Sequence, residues 1–263
     1  PGSTALTVIP KDANSIAAVI GDNGGATSVR KDGTGTWALS GASSYTGSTR
    51  VLGGTLIVSS MANSGAASSI GAATAAGTNL VLAAGGTLRY VGSGDSTDRL
   101  FSVGTTGGTI DSSGGGALVM NGTGSMGFDG LNVARTLTLR GSNAADNTIA
   151  AVIGNQGGST SLTKADAGKW VLSGDNTYSG ITTISAGTLQ VGTGGGSGSL
   201  GSGNVTNNGA LVVNRSDSVT LGQTISGIGT FTQAGAGTTI LSGANTYIGV
   251  TTISAGTLQL GAG

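Results

Sequence analysis

Residues 164–191 read KADAGKWVLSGDNTYSGITTISAGTLQV, and this stretch decides the fold of the chain. A second copy at 31–58 reads KDGTGTWALSGASSYTGSTRVLGGTLIV, and a third at 234–260 reads AGAGTTILSGANTYIGVTTISAGTLQL. The first and second copies are 133 positions apart and the second and third are 69 apart. A repeated unit indicates a chain built by stacking that unit. Since each copy has few large apolar residues, it must share a core with its neighbours.

The three copies are marked by recurring glycines, asparagines and aromatic residues. We expect the glycines and asparagines to form corners, where turn geometry or close backbone approach is needed. We expect the aromatic residues to pack in the core rather than to stack on sugars, because aromatics supply large buried area. These repeat-defining residues are Trp37, Tyr45, Gly54, Trp170, Gly174, Asn176, Tyr178, Gly187, Gly243, Asn245, Tyr247 and Gly256.

The ends of the copies read as short strands. Residues 188–191 (TLQV) alternate polar and apolar side chains, which predicts Leu189 and Val191 inward and Gln190 outward. Short strands between glycine corners predict an all-β fold, a parallel β-helix of about 20–24 residues per coil and roughly 11–13 coils. The spacing of 69 divides into three such coils. It therefore predicts that Ile184 and Leu189 stack in line with Ile253 and Leu258.

Composition supports a thin core and excludes several functions. Glycine accounts for 53 of the 263 residues, 3% are aromatic and 8% are charged, with a net charge of zero. The balance of charge argues against nucleic acid as a partner. The chain has no Cys, which suits an oxidising compartment and excludes thiol chemistry, and it has no His or Glu. No catalytic group, metal ligand or cofactor site is predicted.

Two longer segments recur as well. IAAVIG at 16–21 returns at 149–154, so the chain divides into halves of about 1–133 and 134–263. No charged or proline-rich linker separates them. We therefore predict a single continuous β-helix over 1–263, and because the chain starts without Met we expect it to be an excerpt of a longer protein.

One charge cluster stands out in this charge-poor chain. Asp95, Asp98 and Arg99 lie close together, with Asp111 nearby. Three interpretations are open: an Asp–Arg pair that closes a loop, a ligand contact, or paired carboxylates for glycosidase chemistry. The glycine-rich residues 192–203 (GTGGGSGSLGSG) lack the helix and Lys of a phosphate-binding loop and are predicted to form a surface loop.

The string GKWVLSGDNTYSGITTISAGTLQVG resembles the passenger-associated transport repeat of bacterial autotransporters. Asn176, Tyr178 and Gly187 fall on the pattern, the third copy matches nearly as well, and the first departs at Ser43 and Arg50. Residues 85–126 are also similar to segments of autotransporter passengers. The resemblance implies a right-handed β-helix, exported through the periplasm and displayed outside the Gram-negative outer membrane. It also implies a partner in the protein's own C-terminal outer-membrane barrel, which this sequence does not include.

Three functions follow from this interpretation. The first is a structural and adhesive passenger segment that supports secretion and contacts host or neighbouring cells. The second is a carbohydrate-active β-helix enzyme that uses the region of Asp95 and Asp98. The third is a self-association surface built from exposed Ser, Thr and Asn. The absence of His, Glu and Cys favours the first over the second.

Overall fold

A computed structural model describes residues 4–9 and 11–261 of the chain. These residues form short β-strands joined by turns, with a single 3-10 turn at Gly77–Asn79 within the described part. The strands are short because glycine-rich corners interrupt the alternating apolar pattern every few residues.

The strands of the first half, in chain order, are β1 (Thr4–Val8), β2 (Asn14–Ile16), β3 (Thr27–Lys31), β4 (Thr36–Leu39), β5 (Thr49–Val51), β6 (Thr55–Val58), β7 (Leu80–Leu82), β8 (Thr87–Tyr90), β9 (Asp95–Thr97), β10 (Ser102–Gly104), β11 (Gly108–Ser112), β12 (Leu118–Met120) and β13 (Gly127–Asp129). Those of the second half are β14 (Arg135–Arg140), β15 (Asn147–Ile149), β16 (Thr160–Lys164), β17 (Lys169–Leu172), β18 (Thr182–Ile184), β19 (Thr188–Val191), β20 (Val205–Asn207), β21 (Ala210–Val213), β22 (Ser218–Leu221), β23 (Ile225–Ser226), β24 (Thr230–Gln233), β25 (Thr238–Leu241), β26 (Thr251–Ile253) and β27 (Thr257–Leu260).

The strands stack in parallel into a three-sided solenoid. We call its sides face 1, face 2 and face 3, in the order in which β7, β8 and β9 visit them. Face 2 is one ten-stranded sheet from β2 to β23, and face 3 is an eight-stranded sheet from β9 to β26. Face 1 holds a six-stranded sheet from β1 to β13 and a three-stranded sheet of β22, β25 and β27. The predicted all-β parallel β-helix is confirmed, with about 12 turns.

The core is a set of apolar columns, one inside each face. On face 3, Trp170 pairs with Leu189, Leu189 with Leu211, and Leu211 with Phe231 along the axis. All four side chains are buried. Each coil therefore buries its apolar residues against the coils above and below, which is how a solenoid forms a core from units that have none of their own.

The coils differ in length. The coil that runs from Trp37 to its partner Leu56 is short, whereas the next one, from Leu56 to its partner Leu88, is much longer. The extra length lies within residues 59–79, an insertion between β6 and β7 whose residues Ser68 and Ala72 stay hydrogen-bonded to Ser43 and Tyr45 of the preceding coil. We call this insertion the side loop. The expected coil length holds for many coils but not for these two, nor for the long coil from Ile110 to its partner Leu139.

The predicted alignment of the second and third copies is wrong. Ile184 lies in β18 on face 2, but Ile253 lies in β26 on face 3, and Leu189 and Leu258 are likewise one face apart. The coils in this region are at the short end of the expected range, as the pairing of Leu162 with Thr182 shows. A spacing of 69 therefore covers three coils and one further side.

The same advance separates the first two copies. Copy 1 places its four strands β3–β6 on faces 1 and 2, copy 2 places β16–β19 on faces 2 and 3, and copy 3 places β24–β27 on faces 3 and 1. Each copy thus begins one face later than the previous one. Its corner segment, at 40–48, 173–181 or 242–250, crosses the face that carries none of its strands.

Gln190 also departs from the alternation. It was expected outside, yet only 6% of it is exposed, and its Nε2 donates to the carbonyl oxygen of Gly192 at 2.8 Å. Val171, its neighbour on β17, is fully buried as well. Gly192, with φ of +79°, begins the loop that follows the strand, and the Gln190 amide bonds to this residue instead of projecting into water.

Candidate functional site

The predicted acidic cluster anchors the side loop. Asp95 accepts a hydrogen bond from the Met61 backbone N–H at 2.9 Å. Asp98 accepts from the Ser64 N–H at 2.6 Å and from the Ser64 hydroxyl at 2.8 Å. Burial alone would raise the pKa of Asp98, but the two bonds from Ser64 outweigh it and hold that pKa below its ordinary value.

Arg99 fastens the loop from inside. Only 3% of it is exposed, and its guanidinium donates to the carbonyl oxygens of Ala62 at 3.1 Å, Ala66 at 3.3 Å and Gly71 at 2.9 Å. Burial lowers the pKa of Arg99. The suggested Asp–Arg pair is therefore not what closes the loop, because Arg99 binds backbone carbonyls while both Asp residues bind N–H and hydroxyl groups.

Asp111 belongs elsewhere. It lies opposite Arg89 on the neighbouring strand, and Arg89 Nε donates to Asp111 Oδ2 at 2.8 Å. This is a cross-strand ion pair of the kind that stabilises sheets. The structure thus brings Asp95, Asp98 and Arg99 together around one loop and separates Asp111 from them.

The corner tyrosines have one recurring hydrogen bond. The phenol oxygens of Tyr45, Tyr178 and Tyr247 lie 2.6, 2.7 and 2.7 Å from the hydroxyls of Thr49, Thr182 and Thr251 respectively. Tyr45 and Tyr178 are fully buried, and Tyr247, in the last coil, is half-buried. Burial raises the pKa of Tyr45 to about 12 and raises that of Tyr178.

The corner asparagines connect consecutive coils. Asn176 Oδ1 accepts from the Ile153 N–H at 2.8 Å, and its Nδ2 donates to the Ser199 carbonyl at 2.7 Å. Asn245 accepts from the Ile225 N–H at 2.8 Å. Ser43, the departure in the first copy, performs the same task, since its Oγ accepts from the Ile20 N–H at 3.1 Å. The substitution preserves the contact.

The tryptophans differ between copies. Trp170 is buried, and its indole Nε1 donates to the Arg140 carbonyl oxygen at 2.9 Å. Trp37 is only half-buried and packs against the core from the side. A buried indole with a satisfied N–H is a packing residue.

Gly187 shows why the strand-initiating glycine recurs. Its φ is +66°, and a Cβ placed there would collide with the carbonyl oxygens of Asp166 and Gly168 in the preceding coil. Gly54 and Gly256 have φ of +58° and +65° and face the same obstruction. Both the backbone conformation and the close approach therefore require glycine.

A set of inward polar residues was not predicted from the sequence. Lys164 is fully buried, and its ammonium donates to the carbonyl oxygens of Ala165, Asp166 and Ala186 at 2.6–3.1 Å. Burial lowers its pKa to about 8. Lys31 and Gln233 occupy the matching positions of the other copies and make similar bonds. The alternation of apolar residues in these strands could have indicated that Lys164, Lys31 and Gln233 point inward.

The glycine-rich residues 192–203 form the predicted surface loop, and 193–197 are exposed. Arg215 holds it down, donating to the Gly196 and Gly198 carbonyl oxygens and forming an ion pair with Asp217 at 2.7 Å. Within the described residues, no three acidic side chains are grouped to hold a metal, and no helix is long and apolar enough to cross a membrane.

Parallel coils stacked through the repeated tyrosines, asparagines and glycines define a β-solenoid protein. The passenger-associated-transport-repeat matches residues 29–58, 162–191 and 231–260, which are the three four-strand copies. The chain belongs to the autotransporter passengers that carry this repeat. That family is exported and displayed at the Gram-negative cell surface.

A curated relative agrees with this assignment. Over 221 residues the chain is 50% identical to the Adhesin BmaC autotransporter of Brucella suis biovar 1 (strain 1330). The match covers 83% of the chain but 6% of that protein, so the chain spans a small part of its relative's length. No solved structure gives a significant match.

Proposed function

We propose that this chain is a rigid stalk segment of an autotransporter passenger and takes part in adhesion. The observation that carries the proposal is the ten-stranded sheet of face 2, which joins β2 to β23 without interruption. Every coil it crosses is hydrogen-bonded to the next, so bending the rod would break ladder bonds. We propose that all 263 residues form one solenoid of two repeated halves, held at the cell by the protein's own outer-membrane barrel.

Adhesion is supported by the relative, which is named an adhesin. The outward side chains of face 2 include a row of threonines, Thr163, Thr183 and Thr206, in register on neighbouring coils. Neutral hydroxyls give weak individual contacts. We propose that binding to host or neighbouring cells is spread along the rod and becomes effective when many copies act together.

We propose that the chain does not catalyse glycan hydrolysis. A glycosidase needs one carboxyl with a raised pKa and a second as base or nucleophile. The pKa of Asp98 is lowered instead, and both oxygens of its carboxylate accept bonds from Ser64. A glycan hydrolysis panel tests this, with Asp95→Asn/Asp98→Asn alongside. Turnover that disappears in the double variant would establish the enzyme.

Display on a Gram-negative laboratory strain, fused to an autotransporter barrel, tests the stalk and the support of secretion. We expect Leu189→Ala/Leu211→Ala, which opens the core of two adjacent coils, to reduce the amount of passenger reached by external antibody. Thr183→Ala/Thr206→Ala, on the outside of neighbouring coils, is the matched control and should leave display unchanged. Equal display by both variants would contradict a role in secretion.

The same cells test adhesion. Bacteria that display the chain should bind cultured epithelial cells several times better than bacteria with the barrel alone. If fully displayed chain binds no better than the barrel alone, the adhesive role is contradicted and only the role as a stalk remains.

A further inference from the structure

A groove interrupts face 1 in the middle of the second half. It lies between residues 199–202 and β22 and has a volume of about 560 Å³. It lies at the edge of the three-stranded sheet of β22, β25 and β27 on face 1. A volume of this size falls within the range of ligand pockets, about 300–1,000 Å³.

The two walls of the groove are not bonded to each other. Among the described residues, no hydrogen bond joins 199–203 to 218–223. Gly201 and Gly203 sit tightly on the coil of Tyr178 and Gly180, whereas no atom of the 199–202 wall lies within 4 Å of a Cβ built on Gly222. The coils are connected at the two corners, by Arg215 to Gly198 and by the Thr224 N–H to Asn204. The face between the corners is open.

The β22 wall is an unpaired strand edge. The carbonyl oxygens of Asp217 and Leu221 accept bonds from the β25 side. Because the backbone groups of alternate residues in a strand point to opposite sides, the N–H and C=O of Thr220 point into the groove. Backbone groups with this spacing match those of another extended chain.

The lining is uncharged. Leu200, Val219 and Leu221 form an apolar floor, and Ser202, Thr220 and Gln223 form a hydroxyl and amide rim. No charged side chain lines the groove within the described part of the chain. A partner with a net charge would lose hydration here without gaining an ion pair.

We propose that this groove binds an extended, uncharged peptide strand of a partner protein, which adds to the free edge of β22. The main chain of the strand pairs with Thr220, and every second side chain, small or aliphatic, rests on Leu200 and Leu221. The floor and edge together distinguish a peptide from a neutral glycan, which would use the rim but has no groups to match a strand edge.

The probe is the strand that β22 already accepts on its other side, a capped peptide copying residues 237–243 (GTTILSG). Titration calorimetry with the purified chain should give saturable binding, and hydrogen exchange should show protection of the Thr220 amide. Thr220→Pro removes the N–H that points into the groove. It leaves the backbone groups of Val219 and Leu221 that face β25, as proline at a strand edge permits. Losing that bond should weaken binding about tenfold.

Thr220→Ala is the matched control, since it keeps the backbone donor and should bind like the parent. If Thr220→Pro fails to fold, a peptide N-methylated at alternate amides removes the same pairing from the ligand and should not bind. The proposal is overturned if N-methylation has no effect, if no peptide binding is measurable at millimolar concentration, or if neutral oligosaccharides bind in the groove instead.

Discussion

The phenol oxygen of Tyr178 and the hydroxyl oxygen of Thr182 lie 2.7 Å apart with both side chains fully buried. The pair ties the corner segment of a repeat to the strand that follows it. Because both side chains are buried, the two hydroxyls satisfy each other's hydrogen-bonding capacity inside the core. The pair recurs in all three copies, which makes it the polar element most closely tied to the repeat.

Tyr178→Phe should lower the free energy of unfolding by about 1–3 kcal/mol, since it leaves the Thr182 hydroxyl buried without this partner. Adding Thr182→Val should recover part of the loss, because both polar groups are then gone. Urea titrations of Tyr178→Phe, Thr182→Val and the double variant measure this. Tyr247→Phe is the control: its pair is exposed, and we expect a change within about 0.5 kcal/mol. If the double variant loses as much free energy of unfolding as the two single variants combined, the two hydroxyls do not interact.

The buried ammonium of Lys164 predicts a pH dependence. Its pKa is about 8 in the folded chain against an ordinary 10.5, so between these values the unfolded chain holds more protons. Stability should therefore rise from pH 8 towards pH 10, by at most about 1.4 kcal/mol per unit. Above pH 10 the tyrosines oppose it, because Tyr45 with its pKa of about 12 keeps a proton that the unfolded chain loses.

Lys164→Gln tests that assignment, since Gln233 already fills the matching position in the third copy. Unfolding measured between pH 7.5 and 9.5 should lose most of its rise in this variant. Lys169→Gln, which removes a surface partner of Asp146, should keep the rise. If both variants keep it, another group is responsible.

Leu189 and Gln190 lie on opposite sides of β19, so substitutions at these two positions test the two sides separately. Leu189→Ala should cost on the order of 2–4 kcal/mol, because the cavity lies in a continuous column. Gln190→Ala should also be measurable, at about 1 kcal/mol, because it removes the buried amide bond to Gly192. Gln259→Ala, the matching position in the last coil with a long 3.4 Å contact, should cost much less. Thermal unfolding compares the three, and no loss at Gln190 would mean that its burial is unimportant.

Gly187→Ala and Gly65→Ala distinguish crowding from backbone strain. Both glycines have positive φ, but a Cβ at Gly187 meets two carbonyl oxygens, and one at Gly65 meets nothing within 4 Å. Gly65→Ala should cost about 1–2 kcal/mol from strain alone. We expect a substantially larger loss at Gly187, measured by chemical denaturation. Equal losses would show that the preceding coil yields.

The sequence was sufficient to predict coils of parallel strands. It was not sufficient to predict which residues of different coils stack above one another. Repeats and alternation predict parallel strands and place Leu189 and Val191 inside, because both depend on neighbouring residues only. Whether Ile184 lies above Ile253 depends on the summed length of every coil between them. Coil length has no local signal, since the short coil that ends at Leu56 and the long coil that starts there have the same kind of strand.

Pairing of charges depends on that same register. Arg89 meets Asp111 because their strands are neighbours, and nothing near either residue in sequence indicates it. Arg99 likewise binds carbonyls of a loop that lies well before it in the chain. The inward Lys164 could have been found from alternation alone, had an ammonium group been accepted in a core position. Whether Asp95, Asp98 and Arg99 contact a ligand stays a prediction.

The advance of each repeat by one face affects how a rod meets its surroundings. A filament that touches a neighbouring cell does so along one side only, and rolling about its long axis decides which. If the three corners at 40–48, 173–181 and 242–250 lay on one face, most roll angles would turn them away together. Because they lie on different faces, some corner points towards the neighbour at any roll angle, and the proposed cell contact would not require the filament to be oriented first.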